Sequence, residues 1–189
     1  MTFAATRRDI LASAAVFLAL GVAGAWAESI NTPTWYSLAQ AAEQNKEQDV
    51  ATLIRRGDTP NFLDSNGRMP LSYPAASGNT TIAKMLLDAG ARADYRDSTG
   101  GTALHWAAQT GHIEIITMLL AAKATADAQN KQGITPLMMA AANNKIEAIR
   151  ALLIAGADPK KQDFSGRDAL GWAAGKPASL RVLQAARSG

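Results

Sequence analysis

Three segments of the chain carry apolar residues at spacings of three and four positions. This spacing places the apolar side chains on one side of an α-helix. The three sets are Ile82, Met85 and Leu86; Ile113, Ile116, Leu119 and Leu120; and Ile146, Ile149, Leu152 and Leu153. Gly90 and Gly156 follow two of the segments and favour a left-handed C-cap. The pattern predicts three helices, each packed on one side only.

The same arrangement recurs along the chain with a period of 33 residues. Glycines stand 33 residues apart at Gly67, Gly100, Gly133 and Gly166. Leucines follow the same period at Leu38, Leu71, Leu104, Leu137 and Leu170, and alanines at Ala42, Ala75, Ala108, Ala141 and Ala174. A period of this length is typical of stacked repeats, in which no unit buries its apolar side alone. The recurrence predicts five units.

One unit is complete enough to show a family resemblance. It reads Asp97-Ser98-Thr99-Gly100-Gly101-Thr102-Ala103-Leu104-His105-Trp106-Ala107-Ala108, followed by Gly111-His112-Ile113-Glu114-Ile115-Ile116. This sequence closely resembles the ankyrin repeat, which has a turn, a Thr-Pro-Leu-His-x-Ala helix start and a second helix. The resemblance extends from Thr34 to about Ala186. It implies an all-α solenoid of about five helix-turn-helix units with short β-turn tips, at about 31–63, 64–96, 97–129, 130–162 and 163–189.

Individual residues within the repeats predict where helices start and how the two ends of the stack are capped. Thr102 and Thr135 stand where a hydroxyl can cap the first helix of a unit. Pro74, however, occupies a position held elsewhere by alanine, where a proline removes a helical hydrogen bond. The first helix of the second unit is therefore expected either to start late, near Ser72, or to be kinked. Polar residues 43–49 predict an N-terminal cap, and Pro177 predicts a degenerate last unit.

Residues 1–27 differ from the rest of the chain. Arg7 and Arg8 precede an uncharged stretch from Ile10 to Ala27 that ends in Ala25-Trp26-Ala27. A basic start, an apolar middle and an Ala-x-Ala ending predict a secretory signal cleaved after Ala27. The paired arginines resemble the twin-arginine export signal of bacteria, which implies a periplasmic location. The alternative is a retained anchor in the inner membrane, since this stretch is close to the shortest length that spans a bilayer.

Charge and composition narrow the classes of function. The sequence has 19 Lys and Arg against 16 Asp and Glu, and no cysteine. Removing Arg7, Arg8 and Asp9 with the signal leaves 17 against 15, a net charge of about +2. Nucleic-acid binding needs clustered cations, so this small excess argues against it. With no cysteine, the domain is predicted to be stable without disulfides.

The candidate groups for chemistry are few. The two histidines, His105 and His112, fall on positions where the family resemblance implies structural hydrogen bonds. With no cysteine, they are too few ligands for a zinc site. Asp64, Asp97 and Asp163 could act as paired carboxylates, but each stands where an aspartate side chain commonly bonds a turn. The sequence therefore predicts no catalytic residue, no metal and no cofactor.

One row of residues occupies the same place on the first helix of every unit. The row is Gln40, Tyr73, Trp106, Met139 and Trp172. Core packing is one interpretation. The other is a row of aromatic anchors for a partner, because tyrosine and tryptophan dominate binding hot spots when they are accessible.

The turn tips are the second candidate surface, because ankyrin proteins commonly touch partners there. The tip residues are Ser65, Asn66, Arg68, Ser98, Thr99, Lys131, Gln132, Ile134, Phe164, Ser165 and Arg167. Phe164 stands out, because a large apolar ring gains nothing from exposure at a tip. It either contacts a partner or packs on the adjoining tip.

These features favour a binding function without chemistry. We expect a monomeric periplasmic protein that binds another protein through its tips and the concave side of its first helices. The candidate partners are a periplasmic enzyme that it assists and a toxin that it neutralises as an immunity protein. The alternative is an enzyme or small-ligand protein with its site in the concave groove around Trp106 and Trp172. After signal cleavage, no membrane contact is expected.

Overall fold

The computed structural model describes residues 37–188. The expectations for the signal segment, residues 1–27, lie outside this range and stay predictions. Residues 37–188 form ten α-helices and no β-strand. In chain order these are α1 (Leu38–Glu43), α2 (Glu47–Arg55), α3 (Ser72–Ser77), α4 (Thr80–Asp88), α5 (Ala103–Thr110), α6 (Ile113–Ala121), α7 (Pro136–Ala142), α8 (Ile146–Ile154), α9 (Ala169–Trp172) and α10 (Pro177–Ser188).

The helices stack in two rows. The first helices α1, α3, α5, α7 and α9 pack on one another, and the second helices pack alongside them. Completely buried leucines recur every 33 residues in the second row, at Leu53, Leu86, Leu119 and Leu152. Each such side chain contributes about 2 kcal/mol when it leaves water. Because the apolar side of each unit is covered largely by its neighbours, the predicted all-α repeat solenoid is confirmed.

The tips are β-turns joined to one another. In each tip the glycine N–H donates to the carbonyl three residues earlier, as in Gly100 to Asp97 at 2.9 Å and Gly133 to Asn130 at 3.0 Å. Neighbouring tips are linked by backbone hydrogen bonds from Ser98 N to Gly67 O, from Lys131 N to Thr99 O and from Phe164 N to Gln132 O, at 2.8, 3.0 and 3.0 Å. The predicted β-turn tips therefore form a continuous hydrogen-bonded row.

The second unit departs from its neighbours as Pro74 predicted. Helix α3 begins at Ser72, so Pro74 lies in its first turn, where a backbone N–H has no partner within the helix. Leu71 precedes the helix without a side-chain cap, because Met69 occupies the threonine position. Of the two alternatives, the late start is therefore correct. The helix loses no hydrogen bond at Pro74, because this position needs no N–H donor.

The caps and the apolar stripe were predicted with mixed success. Thr135 accepts a hydrogen bond from Met138 N at 3.3 Å, as predicted, and Gly90 and Gly156 both have φ of +87°. The inclusion of Ile113 in the buried stripe was wrong, because it is 36 % exposed at the start of α6. Ile115 is buried in its place. A helix start has no preceding turn to cover its first side chain, which explains the difference.

The end of the stack is irregular, as the sequence predicted. Helix α9 has only four residues, and in α10 the buried leucine is Leu183, two positions before the place that the repeat predicts. Within residues 37–188, no helix has the length and apolar character needed to cross a membrane.

Candidate functional site

The first residue of each tip is an anchor for the turn. Asp64, Asp97, Asn130 and Asp163 each place Oδ1 against two backbone N–H groups of their own tip. For Asp97 these are Thr99 N at 2.8 Å and Gly101 N at 2.9 Å. The same pair of bonds recurs at the other three tips. The turn interpretation of these aspartates therefore agrees with the geometry, and their Oδ1 atoms are occupied by structural bonds.

The second carboxylate oxygen of each aspartate bonds to the aromatic row. Trp106 Nε1 donates to Asp97 Oδ2 at 3.0 Å, and Trp172 Nε1 donates to Asp163 Oδ2 at 2.9 Å. The Tyr73 hydroxyl makes the equivalent bond to Asp64 Oδ2. Each link joins a tip to the first helix nine residues later, so that one carboxylate fixes both parts of the unit.

The fourth unit lacks this link on both sides. Asn130 replaces the aspartate, and Met139, which has no polar hydrogen, replaces the aromatic donor. Sequence reasoning identified the row and the aspartates separately but missed their connection. The signal was present in the sequence, because an aspartate is paired with an aromatic donor in three units and asparagine with methionine in the fourth.

The row is less exposed than a set of free anchors would be. Tyr73 is only 7 % exposed, so its ring offers a partner almost no surface. Trp106, Met139 and Trp172 are half-buried. Gln40 is exposed, but its side chain accepts from Ser37 N at 2.9 Å at the start of α1. The row thus combines core packing with exposed ring edges at the two tryptophans.

Two arginines cover the tryptophans. The guanidinium carbon of Arg68 lies 4.2 Å from the centre of the Trp106 ring and 5.7 Å from that of Tyr73. That of Arg167 lies 4.3 Å from the Trp172 ring. Contacts at this distance are favourable cation–π interactions of about 0.5–1 kcal/mol at partly exposed sites. Arg68 thereby connects the tip of one unit to the first helix of the next.

The remaining candidate tip residues face solvent. Exposed tip side chains comprise Ser65, Asn66, Ser98, Thr99, Lys131, Gln132, Phe164, Ser165 and Arg167, while Ile134 and Arg68 are half-buried. The structure brings these residues into one row, next to the ring edges of Trp106 and Trp172. We call this surface the tip face: tips 64–68, 97–101, 130–134 and 163–167 with the exposed sides of α3, α5, α7 and α9.

Phe164 satisfies parts of both sequence interpretations. Its ring lies against the adjoining tip, since a β-carbon added to Gly133 would stand 2.7 Å from Phe164 Cδ1. The side chain is nevertheless 75 % exposed. One edge of the ring is therefore held in position while the rest remains accessible.

Long polar side chains next to the anchors were missed by sequence reasoning. Arg96 Nη1 donates to Gly100 O at 3.1 Å and also to Gln129 O in the next unit. Gln129 Nε2 donates to Gly133 O at 2.8 Å and to Gln162 O at 2.9 Å. These bonds tie successive tips together and fix the spacing of the tip face.

Two groups on the tip face have shifted pKa values. The Ser165 hydroxyl, followed by the N–H of Arg167 and the Trp172 indole, lowers the pKa of Asp163. Burial and the bond to Asp64 raise the pKa of Tyr73 to about 12. At neutral pH the carboxylate stays ionised and the phenol stays protonated. Neither group is therefore suited to general acid–base catalysis, which needs a pKa near the working pH.

Both histidines make structural contacts between units. His105 is buried, and its Nδ1 accepts from Thr102 N at 3.1 Å while Nε2 lies 3.0 Å from Ile134 O in the next unit. His112 Nε2 lies 3.3 Å from Ala76 O in the preceding unit. Within residues 37–188, no group of His, Asp and Glu side chains could hold a metal ion.

The environment of His105 predicts a pH dependence of stability. Burial lowers its pKa, so the folded protein keeps the ring neutral where the unfolded chain binds a proton. The stability due to this difference is complete above the unfolded pKa of about 6.5 and is lost as the pH falls toward the lower folded value. We expect the free energy of unfolding to fall less between pH 7.5 and 5.5 in His105→Gln than in the parent protein.

The pH dependence that His105 adds to the free energy of unfolding is limited, because its ring binds only one proton. The difference in slope between the two proteins cannot exceed about 1.4 kcal/mol per pH unit. Urea titrations at several pH values measure it. Parallel profiles for the two proteins would show that protonation of His105 does not limit stability.

An apolar groove lies away from the tip face, between α8 and α10. Its volume is about 450 Å³, and its walls include Leu153, Ile154 and Val182, with Arg150 and Arg181 among the lining residues. These residues include no serine, threonine, cysteine, histidine or carboxylate side chain. Trp106 and Trp172 do not line this groove, so it does not test the alternative of an enzyme or small-ligand site around those two tryptophans.

Comparison with known proteins agrees with this architecture. The family model described as "Ankyrin repeats (3 copies)" matches residues 38–130 and 122–187. No curated protein was found to match the chain. Taken with the stacked helix pairs and β-turn tips, the match shows that the chain belongs to the ankyrin repeat family, whose repeats are generally protein–protein interaction modules.

Proposed function

We propose that the protein binds a protein partner through the tip face and performs no chemistry of its own. The main observation in support is Phe164, which is 75 % exposed on a tip while its ring rests on Gly133. An apolar ring that is both accessible and already oriented loses little conformational entropy when it is buried by a partner. The half-buried edges of Trp106 and Trp172 extend the same surface.

The tips are suited to hold such a surface in one shape. Backbone bonds between adjacent tips, and the side chains of Arg96 and Gln129, join the tips of successive units. A partner therefore meets a preorganised row, which lowers the cost of association. The alternative, a small ligand held near Trp106 and Trp172, finds less support, because the indole N–H groups already donate to Asp97 and Asp163.

The location is proposed from the export signal predicted for residues 1–27, and the role is proposed from the binding function. The mature chain would begin at Glu28, which the mass of protein isolated from cells checks, and would act as a monomer in the periplasm. There it would assist a periplasmic enzyme or neutralise a toxin as an immunity protein. In both roles the protein would bind the partner and cover part of its surface.

Site-specific crosslinking tests the proposed face. A photoreactive phenylalanine analogue placed at Phe164 is expected to give a discrete protein adduct in the cells that produce the protein. The same analogue at Ile154 is a matched control, because Ile154 is also a large apolar residue, 88 % exposed, but lies on a second helix. Adducts at 154 alone, or at neither position, would refute binding through the tip face.

A further inference from the structure

The guanidinium of Arg68 is held by aromatic rings and not by a carboxylate. It lies 4.2 Å from the Trp106 ring centre and is half-buried. Within residues 37–188, its side chain makes no ion pair and no hydrogen bond. Its backbone bonds to Asp64 in both directions, since the N–H donates to Oδ1 and the carbonyl accepts from Asp64 N, each at 2.9 Å. The five N–H donors of the guanidinium are thus held on a flat surface without a protein acceptor in the described part of the chain.

Arg167 occupies the equivalent position three units later and shows the other possible arrangement. Its Nη2 and Nε each lie 3.2 Å from Asp163 Oδ2, and Nε also lies 3.0 Å from Ser165 Oγ. Arg68 does not make this ion pair. The equivalent oxygen, Asp64 Oδ2, accepts the Tyr73 hydroxyl, and Arg68 extends instead to Trp106 of the next unit.

The charges around Arg68 favour a monoanion over a dianion. Two carboxylates bond to the rings that Arg68 covers, Asp64 to Tyr73 and Asp97 to Trp106, and their other oxygens accept turn N–H groups. These two charges oppose a phosphate of charge near −2. A carboxylate carries one charge, and its two oxygens match the planar guanidinium as a bidentate pair.

The rest of the tip face adds positive charge next to this position. Beyond the turn anchors, the tip residues include Arg68, Lys131 and Arg167 and no aspartate or glutamate. Lys131 is exposed in the tip of the fourth unit, between the two arginines. The three turn aspartates balance these cations in number, but their oxygens accept turn and ring hydrogen bonds, so the acidic side chains of a partner segment would meet favourable charge at the three cationic side chains themselves.

We infer that Arg68, seated on Trp106 and Tyr73, binds a side-chain carboxylate in an acidic segment of the protein partner. This inference rests on the proposed function and names the chemistry of the partner at one position of the tip face. Trp106 orients the guanidinium before binding, so fewer rotatable bonds need to be fixed when the carboxylate arrives.

Peptide binding by the full chain tests the inference without knowledge of the partner. The probe is a fluorescently labelled peptide of alternating glycine and glutamate, measured by fluorescence anisotropy at low ionic strength. A glycine–glutamine peptide of equal length is the neutral control. We expect the glutamate peptide to bind more tightly than the glutamine peptide. Arg68→Gln should weaken its binding about tenfold, the value of one charge-assisted bidentate pair.

Arg181→Gln is the matched control variant, because it removes the same charge from an exposed arginine of α10, away from the tip face. Its effect is expected to stay below twofold. Arg68→Lys keeps the charge without the planar fork and should bind with intermediate affinity; it also serves as the readout if Arg68→Gln does not fold. If both glutamine variants lose the same affinity for the glutamate peptide, the loss is due to overall charge and the inference is overturned.

Two further outcomes would also overturn it. One is equal affinity for the glutamate and glutamine peptides, and the other is tighter binding of a phosphoserine peptide than of the glutamate peptide. Neither outcome touches the crosslinking result at Phe164. Adducts at that position with failure of the peptide test would remove the carboxylate site and leave the proposed binding face intact.

Discussion

Replacing Gly133 with alanine is expected to lower the free energy of unfolding by about 3 kcal/mol. Gly133 has φ of +78°, and a left-handed conformation costs a residue with a β-carbon about 1–2 kcal/mol. The added carbon would also stand 2.7 Å from Phe164 N and 2.7 Å from Phe164 Cδ1. Relief of this clash requires the neighbouring tip to move away, which weakens the Phe164 N to Gln132 O bond by about 1 kcal/mol.

Gly166 provides the control for this substitution. It has nearly the same conformation, with φ of +82°, but no atom lies within 4 Å of the position that an added β-carbon would take. Gly166→Ala should therefore cost only the conformational strain, about 1–2 kcal/mol. Urea unfolding followed by far-UV circular dichroism measures both variants. If Gly133→Ala and Gly166→Ala cost the same, contact between neighbouring tips does not limit stability.

The repeat period was sufficient to predict the backbone of the fold. A glycine at the same place in four units indicates a positive φ that the turn needs, and all four turn glycines have it. Pro74 likewise predicted a late start or a kink in α3, because a proline inside a helix is tolerated only in its first turn, and the structure has the late start. In each case a single residue type restricts the main chain directly, so no knowledge of distant partners is needed.

Side-chain partners between units were not predictable in the same way. Arg68 and Arg167 stand at the same place in their units, yet one extends to the next unit and the other pairs with its own turn aspartate. The ring that each arginine covers also differs, since Arg68 lies on Trp106 of the next unit and Arg167 lies on Trp172 of its own unit. The repeat pattern treats all units as equivalent, so it cannot predict this difference. The difference arises because the residues next to Arg68 are not the same as those next to Arg167.

The aromatic row shows the same limit for the candidate site. Its alignment was predicted, but the degree of exposure was not, and Tyr73 is almost fully buried. The half-buried Trp106 occupies the equivalent position, so the place in the repeat does not fix how far the ring is exposed. The proposed binding face therefore consists of the tips and the ring edges of the tryptophans, with Tyr73 as a support for Arg68.

The largest effect of a single polar substitution is expected at Asp97. Asp97→Ala removes the acceptor of Thr99 N, Gly101 N and Trp106 Nε1 at once. The bond of Gly101 N is buried and those of Thr99 N and Trp106 Nε1 are part-buried, so water replaces the lost acceptor only in part. Each unsatisfied buried donor costs about 1–3 kcal/mol, so the free energy of unfolding should fall by about 4 kcal/mol in urea titrations. A loss below about 1 kcal/mol would contradict the proposed role of the link.

Asp97→Asn separates the two functions of this carboxylate. Asparagine keeps the Oδ1 bonds of the turn, as Asn130 does in the fourth unit, but presents an amide N–H to the indole N–H of Trp106. We expect this variant to lose about 1.5 kcal/mol in the parent protein and much less when Trp106→Met is already present. The double variant recreates the Asn130 and Met139 pair, so a coupling energy near zero would mean that aspartate and tryptophan do not depend on each other.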